Sequence, residues 1–293
     1  MLIKAIQFAL KAHQSSQAMI ITKPETIKEN TDNSAAIGVF DSGVGGLSIA
    51  KCIHQTLPNE NLIYVADTLY APYGDMQPGD LAERVHAIAQ YFLNKKVKAM
   101  VVACNTATVN VISQLRKEID VPIIGVEPAI KPAAHESKNA KVGILVTQAT
   151  AKNEHFSQLV NRYKNNAQVY IQACPGLVDL IEQGKIESEA CQKLLQEYLT
   201  PLLNNGIDSL VLGCTHYPFL SKQIEAIAGE ALTIYETATP VTKQLNRRLL
   251  ALSIKAPVEQ TGQCQFYSSK ASSQQSELFS KLWQQTVHLQ PLN

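Results

Sequence analysis

Short, unbroken apolar runs recur along the chain, separated by stretches with helical periodicity. Runs at 37–40 (IGVF), 62–66 (LIYVA), 99–103 (AMVVA), 122–126 (PIIGV), 141–146 (KVGILV), 168–172 (QVYIQ), 207–212 (IDSLVL) and 231–235 (ALTIY) predict strands. The stretches at 80–95, 108–118, 152–164, 188–203 and 219–228 read as amphipathic helices. Strands without apolar/polar alternation are buried on both faces, and alternation with helices makes the sheets parallel. The predicted class is therefore α/β. Residues 22–35 (TKPETIKENTDNSA) are polar and aperiodic, so they read as a linker, and the fold proper begins near Ala36. Ahead of the linker, Leu2, Ile3, Ile6, Phe8, Ala9 and Leu10 fit a loosely amphipathic helix. Lys4, Gln7 and Lys11 interrupt it too often for a signal-peptide core. No apolar run reaches the length of a membrane span.

A faint internal repeat runs through the pattern. GVFDSGVGG (38–46) and GILVTQATA (143–151) both begin with a Gly-led strand and enter a hydroxyl-bearing loop. VVACNTATVN (101–110) and LVLGCTHYPF (210–219) both end an apolar strand on a cysteine. Gly38 and Gly143 are 105 residues apart and Cys104 and Cys214 are 110 apart, nearly one offset. The pattern predicts two similar domains, each a mainly parallel sheet flanked by helices, with the site in the cleft between them. The boundaries read as 1–35 for an N-terminal extension and linker, 36–128 plus 240–293 for a discontinuous first domain, and 129–239 for the second. Two halves facing each other bring the cysteine loops to one cleft.

Composition narrows the function. Of 293 residues, 26 are Lys or Arg and 25 Asp or Glu, a net charge of +1, so the chain has no field for nucleic acid. The densest basic spots, Lys95, Lys96 and Lys98, and Arg247 with Arg248, read as solvated helix ends or loops. The six cysteines form no CxxC pair, which fits neither a disulfide scaffold nor a metal site, and free thiols suit a cytoplasmic protein.

Ligands of open parallel sheets bind beyond the carboxyl ends of the strands. Four loops leave such ends: Asp41-Ser42-Gly43, Pro72-Tyr73-Gly74, Cys104-Asn105-Thr106 and Cys214-Thr215-His216. DSGVGG meets neither the P-loop nor the dinucleotide spacing. It reads either as a tight turn needing glycine flexibility, with Asp41 and Ser42 capping the next helix, or as a ligand contact. Cys104 precedes a helix predicted from Thr106 or Ala107, where unpaired N–H groups favour a thiolate. Cys214 has a similar setting, with Pro218 suited to a first helical turn. Cys52, Cys174, Cys191 and Cys264 lack this context and read as packing or surface residues. His216 is either bonded to backbone or a proton partner for Cys214. Asp41 either accepts the Cys104 proton or, staying charged, raises the thiol pKa. Two opposed cysteines suit a reaction in which one removes a proton from a carbon and the other returns one from the opposite face. The loops carry no Lys or Arg, so substrate carboxylates would be held by N–H and hydroxyl donors, and no lysine in them supports pyridoxal phosphate.

These motifs resemble glutamate racemase, of the cofactor-independent aspartate/glutamate racemase superfamily. GVFDSGVGGLS (38–48), YVADTLYAPYGD (64–75), VVACNTAT (101–108), PIIGVEPAIKPA (122–133), GILVTQAT (143–150) and LVLGCTHYPFL (210–220) carry the likeness, in register over about 36–240. The resemblance implies Cys104 and Cys214 as the two bases, Cys104 for the D-enantiomer and Cys214 for the L-enantiomer. It implies Asp41 beside the first cysteine, and His216 and Glu182 assisting the second. Asp41, Ser42, Pro72, Tyr73, Gly74, Asn105, Thr106, Thr150, Thr215 and His216 match substrate-binding positions. It further implies no cofactor and D-glutamate supply for peptidoglycan in a bacterial cytoplasm; the charge balance and the apolar-run lengths above argue against a nucleic-acid or membrane partner, and the cysteine spacing against a metal. A homodimer stays open, and so does activation by a peptidoglycan precursor, the latter because residues 1–35 extend beyond short family members. The rivals are an aspartate racemase or related isomerase or decarboxylase, a two-lobed binding protein, and a cysteine hydrolase using Cys104 or Cys214 with His216.

Overall fold

A computed structural model describes residues 32–229 and 231–292; the amphipathic stretch at 2–10 and most of the linker lie outside them. Ten strands and eleven α-helices follow Ala36 among the described residues. The strands are β1 (Ile37–Asp41), β2 (Leu62–Ala66), β3 (Ala99–Val102), β4 (Ile123–Gly125), β5 (Lys141–Val146), β6 (Gln168–Ala173), β7 (Ser209–Leu212), β8 (Thr233–Tyr235), β9 (Cys264–Ser268) and β10 (Leu289–Pro291). The helices are α1 (Leu47–Thr56), α2 (Pro78–Asn94), α3 (Asn105–Glu118), α4 (Ile130–Glu136), α5 (Gln148–Lys152), α6 (Glu154–Tyr163), α7 (Leu177–Glu182), α8 (Glu189–Asn204), α9 (Ser221–Ala228), α10 (Ala238–Ala251) and α11 (Ser273–Trp283).

The strands form two sheets, ordered β10-β9-β2-β1-β3-β4 and β6-β5-β7-β8, and every pairing is parallel. Burial explains why the central strands are apolar runs. β1, β2 and β3 are buried along their whole length, as is β7, because helices cover both faces of each sheet. The order β2-β1-β3-β4 repeats as β6-β5-β7-β8, strand for strand. Cys104 follows β3 and Cys214 follows β7, so the two cysteines occupy equivalent places in the two sheets. That equivalence is what the sequence offsets register.

Several predicted boundaries shift. The 207–212 and 231–235 strands begin two residues later, at Ser209 and Thr233. The pattern did not reveal β9 and β10, which extend the six-stranded sheet beyond β2. Both are partly exposed, so their composition is mixed. The reading of Lys98 as solvated is wrong. Lys98 is 1% exposed, with Nζ 2.6 Å from Glu60 Oε2 in a charge contact rather than a well-aligned hydrogen bond. The same nitrogen donates to Asn33 O at 2.5 Å, and Glu60 Oε1 accepts from Ala256 N at 2.9 Å. A paired buried charge joins the approach to β1, the α1–β2 loop, the start of β3 and the segment after α10. No helix among the described residues is long and apolar enough to cross a membrane.

Candidate active site

Ser42, Pro72, Tyr73, Gly74, Cys104, Asn105, Thr106, Cys214, Thr215 and His216 line one small pocket, joined by Thr147 and Val178. The carboxyl ends of β1, β3, β5 and β7 deliver most of this wall, as open parallel sheets do. Each cysteine enters from a different sheet, and both are nearly buried. The cavity is about 20 Å³, room for roughly one water, so the walls already meet.

The first cysteine is set by local backbone. Ala103 N donates to Phe40 O at 2.8 Å, continuing the β1–β3 pairing past β3. Cys104 then turns the chain as the N-cap of α3, which begins at Asn105, one residue earlier than predicted. The helix terminus does not win the contest over the thiol. Burial first, and the Asp41 carboxylate second, push Cys104 well above its ordinary pKa, and the Ala107 N–H pulling the other way is outweighed. The stabilisation expected from the helix N-terminus is thus present but outweighed, and the effect of Asp41 takes its sign. Cys104 Sγ lies 4.0 Å from Ser42 Oγ.

The second cysteine differs in detail. Gly213 N donates to Leu145 O at 2.8 Å, then Cys214 leads into a 3₁₀ turn, Tyr217–Leu220, and the α-helix waits until Ser221. No α-helix starts at Cys214, so the symmetry of the two loops ends there. A histidine takes the helix's place: His216 Nδ1 lies 3.7 Å from Cys214 Sγ, and Nε2 lies 2.6 Å from Glu182 Oε1. Burial pushes the imidazole pKa down, but the contacts with Cys214 and Glu182 outweigh it and hold His216 well above its ordinary value. The site therefore places an imidazolium against the Cys214 sulfur, with Glu182 orienting it.

The glycines of DSGVGG serve close approach, not backbone freedom. The positive-φ glycines are Gly176, Gly184, Gly206 and Gly229, none of them in this loop. A Cβ at Gly43 would fall 1.8 Å from Glu182 Oε1, and one at Gly45 would fall 2.3 Å from His216 Nδ1. The glycine loop thus lies flat on the His216–Glu182 pair. Val44 N donates to Glu182 Oε1 at 2.7 Å, and Tyr64 Oη donates to Gly43 O at 2.7 Å. Helix capping is also overturned: α1 has no side-chain cap. Asp41 Oδ2 instead accepts from Gly43 N at 3.2 Å, and Oδ1 from Thr215 Oγ1 at 3.3 Å. Asp41 is wholly buried; burial raises its pKa from the ordinary value, against the pull of His216.

Not every candidate reaches the pocket. Asp41 and Glu182 stand behind the wall and touch it through Thr215 and His216. Thr150 does not line it; its hydroxyl is 2.9 Å from that of Thr147, which caps α5 and faces the pocket. Thr147 follows β5 directly, so the strand-end rule already pointed to it; Val178 on α7 gave no such signal. Asn105 is 4% exposed, and both its side-chain Oδ1 and Nδ2 lack partners, so a polar ligand would satisfy them. No lining residue is Lys or Arg. Cys52, Cys174, Cys191 and Cys264 are free thiols outside the wall, and burial pushes Cys174 and Cys264 up to about 12. Among the described residues no group of three or more His, Cys, Asp or Glu is disposed to hold a metal.

The sequence profile of the family Asp/Glu/Hydantoin racemase matches residues 37–243. The glutamate racemase of Pseudomonas putida strain F1 is 42% identical over 262 residues, covering 88% of this chain and 98% of the relative. Among solved structures, glutamate racemase from Francisella tularensis in complex with D-glutamate aligns with a TM-score of 0.78 at 26% identity, over 89% of this chain and 98% of that one. Escherichia coli glutamate racemase with L-glutamate and the activator UDP-MurNAc-Ala aligns with a TM-score of 0.76 at 30% identity, over 88% and 98%.

Proposed function

The chain belongs to the Asp/Glu/Hydantoin racemase family, and on that premise we propose that it interconverts L- and D-glutamate with Cys104 and Cys214 as opposed acid and base. The observation that carries this reading is the presence of both sulfurs, from two different sheets, on the wall of one narrow pocket.

In the L-to-D direction the Cys214 thiolate takes the α-proton, breaking C–H and forming S–H. Cys104, held as a thiol by burial and Asp41, gives its proton to the opposite face of the carbon. The reverse direction exchanges the two roles. Each turnover leaves the sulfurs in swapped protonation states; the Cys214 thiol then releases its proton to solvent and Cys104 regains one, and the positive charge on His216 favours the returning Cys214 thiolate. The negative charge developing beside the α-carbon meets preorganised donors instead of water. The N-terminus of α3, at Asn105 and Thr106, offers backbone N–H groups to a carboxylate, and Ser42, Asn105, Thr147 and Thr215 offer side-chain partners. The reading requires no cofactor.

A cavity of about 20 Å³ does not admit glutamate, so the walls must part for entry. We take 36–128 with 240–293, and 129–239, as the two bodies that separate. D-glutamate supply for peptidoglycan, a cytosolic location and response to a UDP-linked muramyl precursor complete the proposal.

The test incubates L-glutamate with the purified full-length chain in deuterium oxide. D-glutamate carrying α-deuterium is the expected product, and Cys104→Ala and Cys214→Ala each abolish its formation. One dispensable cysteine, or a trapped acyl-enzyme, would favour the hydrolase instead. Turnover unchanged by added UDP-MurNAc-Ala would remove the activation part alone.

A further inference from the structure

Asp67 lies just beyond β2, wholly buried, and the reaction above gives it no part. Both of its oxygens are occupied. Tyr73 Oη donates to Oδ2 at 2.7 Å. Arg84, on α2, donates from Nε to Oδ2 at 3.0 Å and from Nη2 to Oδ1 at 2.6 Å. The guanidinium also sits over the Tyr70 ring, 3.9 Å from its centroid. Asp67 N donates to Asp41 O at 3.0 Å, so the carboxylate is anchored to the strand that delivers the glycine loop.

Of these four side chains only Tyr73 lines the pocket. Its hydroxyl is committed to Asp67, and burial first, then the Asp67 charge, hold its pKa far above the ordinary value. Tyr73 therefore offers substrate a fixed ring face, together with the backbone of Pro72 and Gly74, rather than an O–H. The segment carrying this face has only two short 3₁₀ turns of its own, Thr68–Tyr70 and Tyr73–Asp75. Across the pocket, a Cβ on Gly74 would touch Ala149 and Thr147 at 3.7 and 3.8 Å, so the turn sits in ordinary contact with the opposing sheet's loop. What fixes this face is the two-pronged Arg84–Asp67 pair, whose planar fork a lysine does not reproduce.

We propose that Asp67 and Arg84 are positioning residues for the racemase: they lock Tyr73 and its turn against the pocket and so set the affinity for glutamate rather than the rate of proton transfer. This rests on the racemase reading. The experiment measures kcat and KM in both directions for the full-length wild type, Arg84→Lys, Asp67→Asn, Tyr73→Phe, and each of the first two combined with Tyr73→Phe. Arg84→Lys and Asp67→Asn should each raise KM about tenfold with kcat within about threefold, the scale of one charge-assisted contact. If they act through Tyr73, each double variant should bind glutamate no worse than Tyr73→Phe alone. A merely structural role predicts multiplied losses. Effects that multiply in the doubles, a loss confined to kcat, or unchanged constants would overturn the proposal. Should Asp67→Asn not fold, the Arg84→Lys pair of variants decides. An inactive wild type would sink the racemase reading and this proposal with it; an active wild type with multiplied effects sinks this one alone.

Discussion

Gly45→Ala adds one methyl group to a position whose φ an alanine adopts freely, so any effect comes from the methyl itself. The new Cβ would lie 2.3, 2.6 and 2.8 Å from Nδ1, Cε1 and Cγ of His216. That ring is 2% exposed and bonded to Glu182, so it cannot swing into solvent. It must retreat from Cys214, from Glu182, or from both. Losing one hydrogen bond to a charged group costs about 1.5–3 kcal/mol, which on the proton-transfer barrier is roughly a 10- to 150-fold drop in rate. Glutamate enantiomers are equally stable in water, so kcat/KM must fall by the same factor in both directions. The asymmetry appears in isotope effects. If His216 serves Cys214, the impaired step is proton transfer at Cys214. The α-deuterium effect on kcat/KM should then grow for L-glutamate, whose labelled bond breaks in that step, and shrink for D-glutamate, whose labelled bond breaks at Cys104. A chiral assay on α-protiated and α-deuterated substrates reads both, with a melting curve to confirm an intact fold. Activity within twofold of wild type would refute the steric argument; an isotope effect that grows for D-glutamate would refute the assignment of His216 to Cys214.

Two further outcomes concern stability. Lys98→Met leaves Glu60 charged and unpaired in the interior, which should cost about 3–5 kcal/mol in urea unfolding, whereas replacing both partners by apolar residues should recover most of it. Asp41 has a folded-state pKa raised first by burial, so its contribution to stability is full below about 4 and declines as pH rises towards that folded value. Asp41→Asn should therefore gain in melting temperature relative to wild type between pH 4 and pH 8 while losing racemisation; a constant difference across that range would contradict the burial of a charged Asp41.

The most legible strands were those buried on both faces, although β6 and β8, which keep exposed positions, were also read from the sequence. β1, β2, β3 and β7 announce themselves because a parallel strand between two helical layers has no solvent side to mark with polar residues. β9 and β10 keep solvent-facing positions and were missed. Within the site, Ser42, Cys104, Asn105, Cys214 and His216 were legible because each sits within a few residues of a strand end, whereas Tyr73 lies seven residues past β2, beyond a 3₁₀ turn. The choice between Thr147 and Thr150 turned on which hydroxyl faces the pocket and which is spent within α5, and spacing does not encode that.

By itself the sequence determined most of the local elements, the repeat that places a cysteine after the third strand of each half, and the absence of cationic side chains from the loops. Those features depend on neighbours in the chain. Only the tertiary structure decided that Asp41 raises the Cys104 thiol, that Lys98 is an interior charge, that Gly43 and Gly45 are small because Glu182 and His216 lie on them, and that Tyr73 is held by Arg84 through Asp67. Each is a contact or a charge interaction set by which distant segments the fold brings together. A pKa or a steric limit depends on atoms a few ångströms away in space, however many residues separate them along the chain.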